Sequence, residues 1–292
     1  MCQLFGINSA KPISPHFSLR GFFRRGGGTD HHADGWGLAY YDNSGSVLHV
    51  RDTPAHLCKD ANAVLQRPFR ANTTIAHVRK ATEGKVCLEN SHPFVRKLWG
   101  KDWVFAHNGD LKTFYPDLPP EFQPIGETDS ERAFCYLLSQ LSAYFNGRAP
   151  SLSALLEKLQ PLSSEIAEHG TFNFLLSDGD VLFAHASTQL FWAERRAPFG
   201  PVELLDEENH RIDFGTLNDS EDSIIVLATR PLTRGEPWYP MARGELKAFV
   251  SGREYLTARP AARTAPASTP PIGRKLSDWC NGWHLGAAHI IC

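Results

Sequence analysis

Three features that place proteins in broad functional classes are missing from this sequence of 292 residues. It has no run of about 18 or more apolar residues, so we expect no transmembrane helix and no membrane partner. Its first segment lacks the basic-then-apolar order of a secretory signal, because Lys11, Pro12 and Pro15 come early, which indicates a cytoplasmic protein. It also lacks a basic excess: the net charge is −2, which argues against nucleic acid as the main partner.

Paired cysteine motifs are absent as well. No C-x-x-C pair occurs, which argues against a disulfide framework and against a zinc knuckle. We expect most of the cysteines to be reduced, small, buried side chains. Cys2 differs because it directly follows the initiator methionine. The six cysteines are Cys2, Cys58, Cys87, Cys135, Cys280 and Cys292.

The glycine-rich segment "RRGGGTDHHADGWG" contains neither G-x-G-x-x-G nor G-x-x-x-x-G-K-[ST]. It therefore predicts a tight turn near the wall of a site rather than a phosphate-binding loop, and we expect no cofactor. His31, His32 and Asp34 have the side-chain types of a zinc or iron site. Adjacent histidines on a strand point to opposite faces, however, so we expect no metal site there.

The chain divides by composition. Residues 1–257 have the strand and helix patterns of one globular domain, whereas residues 258–292 begin with "ARPAARTAPASTPPIGRK" and predict a disordered or loosely docked tail. Hairpins are predicted around Asn43-Ser44-Gly45 and around Asp178-Gly179, the latter through a type I′ turn.

Helices are predicted in three places, in each case from the sequence pattern. One lies within "SPHFSLRGFFRR", one follows a capping box formed by Thr128 and Glu131, and one is broken or kinked at Pro161. Strands joined by hairpins, with helices clustered between them, indicate an α+β fold of antiparallel sheets covered by helices.

Cys2 becomes the N-terminal residue if Met1 is removed. Its thiol is then a nucleophile, and its own α-amine, whose pKa is about 8, can act as the base. On its own, Cys2 is better explained as a small residue at position two. A papain-like pair using Cys87 or Cys135 is the other cysteine alternative, but both look like core residues.

Three further segments favour the nucleophile hypothesis. Arg79 in "AHVRKATEG" presents a fork suited to a carboxylate, or it is a surface arginine. Asn108 and Gly109 in "FAHNGDL" form a plausible oxyanion hole, or a common turn. Asp129 begins a predicted helix, where it binds an ammonium group or only caps the helix.

Together these segments resemble the class II glutamine amidotransferases, whose glutaminase domain is an N-terminal nucleophile hydrolase. The resemblance covers roughly residues 2–255 and is closest to stand-alone bacterial members without a synthase domain. It implies a four-layer α/β/β/α sandwich of two antiparallel sheets. It also implies site roles: Cys2 as nucleophile, Asn108 and Gly109 as oxyanion hole, Arg79 with Thr82 for the α-carboxylate of glutamine, and Asp129 for its α-ammonium. Gln3 departs from the glycine that follows the nucleophile in many relatives.

The resemblance implies cleavage of the γ-amide of glutamine, or of a related γ-glutamyl compound, through a thioester on Cys2. The partners are then the small-molecule substrate and, if ammonia is transferred, a separate acceptor enzyme. If hydrolysis is the whole reaction, small γ-glutamyl peptides become candidate substrates. Two alternatives stay open at this point: an N-terminal cysteine hydrolase of another amide, and a degenerate domain that binds an amino acid or a partner.

Overall fold

The computed structural model describes residues 2–82 and 84–256, so the predicted tail at 258–292 lies outside the described residues. The helices are α1 (His16–Arg24), α2 (Lys59–Gln66), α3 (Asp129–Tyr144) and α4 (Leu152–Ala167). The strands are, in chain order, β1 (Gln3–Ile13), β2 (Trp36–Asp42), β3 (Gly45–Arg51), β4 (Ala71–Val78), β5 (Phe94–Leu98), β6 (Lys101–Asp110), β7 (Thr171–Ser177), β8 (Val181–Ala186), β9 (Phe191–Arg196), β10 (Pro201–Leu204), β11 (Arg211–Asp213), β12 (Ser223–Ala228), β13 (Thr233–Arg234), β14 (Tyr239–Pro240), β15 (Glu245–Val250) and β16 (Arg253–Glu254). Within residues 2–82 and 84–256, no helix is long and apolar enough to cross a membrane.

Two large antiparallel sheets form the centre of the molecule. The first has seven strands in the order β14-β9-β12-β1-β4-β2-β3, and the second has six in the order β16-β15-β8-β7-β6-β5. A small third sheet has the order β11-β10-β13. In the first sheet β1 is central, with β12 on one side and β4 on the other, which determines what can lie beside the start of β1.

Successive side chains of a strand point to opposite faces of its sheet. The sheets stack because both faces of each sheet are apolar. One face of each sheet contributes to a shared core between the sheets, with Leu4, Ile75, Val104 and Leu175 among its members. The outer face of the seven-stranded sheet packs with residues of α1 and α2. The outer face of the six-stranded sheet packs with residues of α3 and α4. The predicted four-layer α/β/β/α sandwich is therefore confirmed.

The helix predictions are confirmed in place but corrected in detail. Thr128 caps α3 by accepting a hydrogen bond from the Glu131 N–H at 3.2 Å. The Glu131 carboxylate does not return to Thr128, as a capping box requires, but accepts from Ile125 N and Gly126 N. Helix α4 continues through Pro161, so of the two predicted alternatives the break is wrong, and the kink stays a prediction. Its apolar face is buried in the core on both sides of the proline, which offsets the lost backbone hydrogen bond.

Both predicted hairpins are present, as β2–β3 and β7–β8. The type I′ turn at Asp178-Gly179 is wrong, however, because only Gly179 has a positive φ, at 98°. The connection has three residues, and the Asp178 carboxylate accepts a hydrogen bond from Val181 N at 3.0 Å. This hydrogen bond from the Asp178 side chain stabilises a three-residue connection, one residue longer than the two-residue turn predicted from Asp178-Gly179.

Candidate active site

At one end of the sandwich, the strand positions that face the opposite sheet carry polar side chains instead of apolar ones. Cys2 shares a face of β1 with Leu4, and Asn108 shares a face of β6 with Ala106. Asn173 lies on the same face of β7 as Leu175, and Thr229, directly after β12, continues the face of Leu227. A cavity of ≈ 230 Å³ opens here and is lined by Cys2, Gln3, Asp30, His31, His32, Asn108, Asn173, Thr188, Gln189, Thr229 and Arg230.

The Cys2 thiol is held against the segment that follows β4. Its Sγ donates to the Lys80 carbonyl at 3.2 Å and accepts from the Lys80 N–H at 3.3 Å. Burial raises the pKa of Cys2 above its ordinary value, and the Lys80 N–H and the positive charge of Arg79 oppose this shift. The thiol is therefore protonated near neutral pH and needs a base before it can attack a carbonyl.

Asn108 and Gly109 lie side by side near the end of β6. The side-chain Nδ2 of Asn108 donates to Thr229 Oγ1 at 3.3 Å, and the backbone carbonyl of Asn108 accepts from Asn173 Nδ2 at 3.0 Å. Asn108 lines the cavity, whereas Gly109 does not. A Cβ atom on Gly109 would lie 1.7 Å from the Thr171 carbonyl oxygen, so the close β6–β7 pairing requires glycine here.

Arg79 and Thr82 lie in the segment after β4, outside the cavity lining. Arg79 is buried, and its guanidinium donates to the Lys85 carbonyl at 3.1 Å. Thr82 is exposed. The segment is fixed by Asp34, whose carboxylate accepts from Ala81 N at 2.9 Å. Of these two predicted residues, only Arg79 acts on Cys2, through its charge.

Asp129 is the first residue of α3 and is buried. Its carboxylate accepts from Leu111 N at 2.7 Å and from Ser130 N at 2.7 Å, which joins the start of α3 to the end of β6. Its negative charge raises the pKa of the Cys2 thiol, so it lies within electrostatic range of the nucleophile. The four best-placed residues, Cys2, Asn108, Arg79 and Asp129, are therefore brought to one end of the sandwich.

The glycine-rich segment forms a turn after α1 and leads into the cavity wall, as predicted, with Gly27 at φ 94°. The predicted strand at His31 and His32 is wrong, however. Both residues lie between α1 and β2, outside every strand, and their rings stack with centroids 5.0 Å apart. The carboxylate beside them is that of Asp30, not Asp34, and the possible ligand atoms of the three residues lie within 4.8 Å of one another.

This cluster already has internal partners. Asp30 Oδ2 accepts from Gln3 Nε2 at 2.9 Å and from the Arg230 guanidinium, and Asp30 Oδ1 lies 2.7 Å from His31 Nδ1. A cation would have to displace the positive charge of Arg230. We therefore assign Asp30, His31 and His32 to the wall of the cavity.

Gln3 connects this wall to the body of the fold. Its Oε1 accepts from the buried Arg25 at 3.0 Å, while its Nε2 donates to Asp30. Arg25 also donates to the Arg230 carbonyl at 2.9 Å and to Asp206 at 2.7 Å. The residue after Cys2 is thus part of a buried network that fixes the cavity wall.

Three histidines, His77, His92 and His107, are buried beside the site. His77 Nε2 lies 3.1 Å from the His107 carbonyl, so it carries the proton and donates. His107 Nε2 donates to the Thr171 carbonyl at 2.9 Å, which leaves Nδ1 to accept from Ser130 Oγ at 2.8 Å. Both ring nitrogens of His92 are buried without a partner among the described residues. Of these three, His77 and His107 are therefore hydrogen-bonded to described residues and His92 is not.

The expectation that most cysteines are buried is confirmed only for Cys135 among the described ones. Burial raises its pKa to about 11, so it is an inert core thiol. The other three described cysteines, Cys2, Cys58 and Cys87, are partly exposed, and all four are free thiols. Cys280 and Cys292 lie outside the described residues.

Sequence reasoning missed Asp30, Asn173, Thr229 and Arg230. Thr229 and Arg230 follow β12 much as Arg79 follows β4, and polar residues after an apolar strand are a signal that could have found them.

A larger cleft of ≈ 880 Å³ lies at the other end of β1 and contains no cysteine or histidine. Its lysines pair with its own aspartates, as Lys101 does with Asp178 at 2.7 Å, so it is the weaker candidate for catalysis.

This antiparallel sandwich, with a cysteine at the start of its central strand, has the architecture of the N-terminal nucleophile amidotransferase domains. The family described as "Glutamine amidotransferases class-II" matches residues 1–271, and the chain belongs to it. The Haemophilus influenzae protein named "Putative glutamine amidotransferase" is 42% identical over 255 residues, covering 87% of this chain and 86% of that protein. The Escherichia coli protein "Putative glutamine amidotransferase YafJ" is 40% identical over 252 residues, covering 86% of this chain and 98% of that protein.

Solved structures agree with this assignment. The crystal structure of a "predicted glutamine amidotransferase" from Pseudomonas aeruginosa matches with a TM-score of 0.68 and 36% identity, covering 88% of this chain and 100% of that chain. Glutamine phosphoribosylpyrophosphate amidotransferase from B. subtilis matches with a TM-score of 0.53 over 87% of this chain and 48% of its own. Its identity of 16% makes it evidence for the fold alone.

Proposed function

We propose that the chain is a glutaminase-type cysteine amidohydrolase that cleaves the γ-amide of glutamine or of a related γ-glutamyl compound. The observation that carries the proposal is that Cys2 and Asn108, from different sheets, line one cavity at the open end of the sandwich. A nucleophile and an amide donor on facing strands are the two groups that acyl transfer needs at one carbonyl.

The first step begins with removal of Met1, which gives Cys2 a free α-amine. Because burial raises the pKa of the thiol, the α-amine accepts its proton as Sγ attacks the γ-carbonyl. The oxyanion is stabilised by the Asn108 amide and the Gly109 N–H. The α-ammonium then protonates the leaving nitrogen, a γ-glutamyl thioester remains, and water releases glutamate.

The head of the substrate is recognised by opposite charges. Arg79, with Thr82 beside it, binds the α-carboxylate, and Asp129 binds the α-ammonium. The influence of both charges on the Cys2 thiol supports this arrangement, since both must lie close to it. The released ammonia or amine goes either to water or to a separate acceptor enzyme.

The test begins with the full chain expressed and its mass measured, where we expect loss of the initiator methionine. Glutamate release is then followed from glutamine and from a panel of γ-glutamyl amides. We expect turnover that Cys2→Ala abolishes. Cys58→Ala, at another partly exposed free cysteine, is the matched control and should keep wild-type turnover. Full activity in Cys2→Ala, or no activity on any compound, would refute the proposal.

A further inference from the structure

The cavity lies on one side of the nucleophile, and the residues proposed for the substrate head lie on the other. Leu4, two residues after Cys2, exchanges hydrogen bonds with Thr229 on the β12 side. On the β4 side, Gln3 pairs with Val78, which directly precedes Arg79. In the facing sheet, Asp129 contacts the end of β6, whereas Asn173 and Thr188 of the cavity belong to β7 and to the turn after β8.

A substrate with its head at Arg79 and Asp129 and its γ-carbonyl at Cys2 therefore directs its leaving group into the cavity. The volume of the cavity, ≈ 230 Å³, is several times the roughly 30 Å³ that a molecule of the size of water or ammonia occupies. A site adapted to ammonia alone has no use for this space.

At the far wall of the cavity Arg230 has spare hydrogen-bond donors, whereas the acceptors of Asp30 are taken. The Asp30 carboxylate is occupied by Gln3, Arg230 and the His31 N–H. Arg230 is half-exposed, and within the described residues its side chain makes a hydrogen bond only to Asp30, through one of its terminal nitrogens. The remaining N–H groups of a guanidinium form a fork that matches a carboxylate.

This wall is rigidly built. The backbone of residues 230 and 231 is held by Arg25, a side chain that is 4% exposed, through hydrogen bonds to the Arg230 and Pro231 carbonyls. The turn after β8 is held by Asn173, whose Oδ1 accepts from Ser187 N at 3.0 Å and Thr188 N at 2.9 Å. Groups fixed in this way can select a ligand without first being ordered by it.

We propose that the cavity is a leaving-group subsite for an amine that bears a carboxylate, namely an α-amino acid or a short peptide, with Arg230 as the residue that binds that carboxylate. This inference rests on the proposed function. The preferred substrates are γ-glutamyl amino acids or peptides. Sγ bonds to the carbonyl carbon of the γ-amide, the C–N bond breaks, and the thiol proton leaves on the amino acid; water then restores the thiol and releases glutamate.

The test compares kcat/KM of the full chain for L-γ-glutamylglycine, L-γ-glutamyl methylamide and glutamine. A charge-assisted hydrogen bond contributes about 1.5–3 kcal/mol, so we expect the dipeptide to exceed the methylamide by roughly 10- to 100-fold. Arg230→Gln should lower the ratio of dipeptide to methylamide kcat/KM toward 1, whatever its absolute rates, and circular dichroism checks that the variant folds. Arg234→Gln removes a similarly exposed arginine that pairs with Glu203, and it should leave the preference unchanged.

Arg230→Lys keeps the charge beside Asp30 but lacks the planar fork, so we expect a preference between those of the wild type and Arg230→Gln. Equal kcat/KM for dipeptide and methylamide, or a dipeptide preference that survives in Arg230→Gln, would overturn the subsite. In either case Cys2-dependent cleavage of glutamine or the methylamide would leave the proposed function standing. If no compound is cleaved in a Cys2-dependent manner, both are wrong.

Discussion

Asn108 combines a structural and a proposed chemical role. Its backbone carbonyl accepts a hydrogen bond from Asn173, and its side-chain Nδ2 donates to Thr229, so the side-chain amide is fixed at the cavity. Its Oδ1 is buried without a partner among the described residues. A polar side chain held in this manner costs folding free energy, which is the usual sign of a residue retained for function rather than stability.

Asn108→Ala should lower kcat for γ-amide cleavage by roughly 10²–10³ with little change in KM, because the amide donor acts on charge that develops only in the transition state. Steady-state kinetics on glutamine measure this split. Asn72→Ala removes a partly buried asparagine that bonds to the Ser9 carbonyl, away from the cavity, and should leave both constants unchanged. A rise in KM alone would assign Asn108 to ground-state binding.

At the scale of strands and helices, local patterns predicted the elements and long-range contacts decided their details. The hairpins, α1 and α3 follow from alternation, glycine turns and apolar periodicity within short windows. Continuation of α4 through Pro161 depends on a core formed by distant strands, which no local pattern contains. The same holds for the cavity wall, since the bond from Arg25 to Asp206 joins segments 181 residues apart.

The β6–β7 pair is the element on which the proposed oxyanion hole depends. Gly109→Ala places a Cβ atom 1.7 Å from the Thr171 carbonyl, and a backbone oxygen cannot move aside without separating the strands. We expect a loss of stability of about 1–3 kcal/mol or more, seen as a lower urea midpoint, together with loss of activity because Asn108 moves with its strand.

Gly200→Ala is the matched control for this strand pair. A Cβ atom there meets no atom within 4 Å, so the variant should stay within about 0.5 kcal/mol of the wild type and keep its activity. A Gly109→Ala chain with the wild-type midpoint would show that the pairing tolerates a side chain, and that glycine is not needed at this position for packing.

At the scale of the whole molecule, the sandwich concentrates titratable rings near the site end. His77, His92, His107 and His185 are all buried, and burial lowers the pKa of each below its ordinary value, to about 3 for His77. The strand and helix patterns predicted antiparallel sheets covered by helices, and the resemblance to the class II amidotransferases implied the four layers. The sequence could not predict this burial, because the burial depends on contacts between distant segments, such as those of His107 with Thr171 and with Ser130 of α3.

These neutral histidines should make the protein lose stability in mild acid. A histidine whose folded pKa is lowered binds its proton first in the unfolded chain, so the free energy of unfolding is unaffected well above pH 6.5 and falls as the pH drops below it. Between about pH 7 and pH 5.5 a histidine that stays neutral in the folded chain can remove up to about 1.3 kcal/mol. Urea midpoints measured at intervals of half a pH unit test this, in a range where most carboxylates are not yet protonated.

In His92→Phe the ring keeps its contacts with His77 and Phe94 while the titrating nitrogens are lost. The urea midpoint should therefore fall less steeply with decreasing pH, by about the contribution of one histidine. A midpoint that stays constant across this range would mean that the buried histidines are protonated in the folded state.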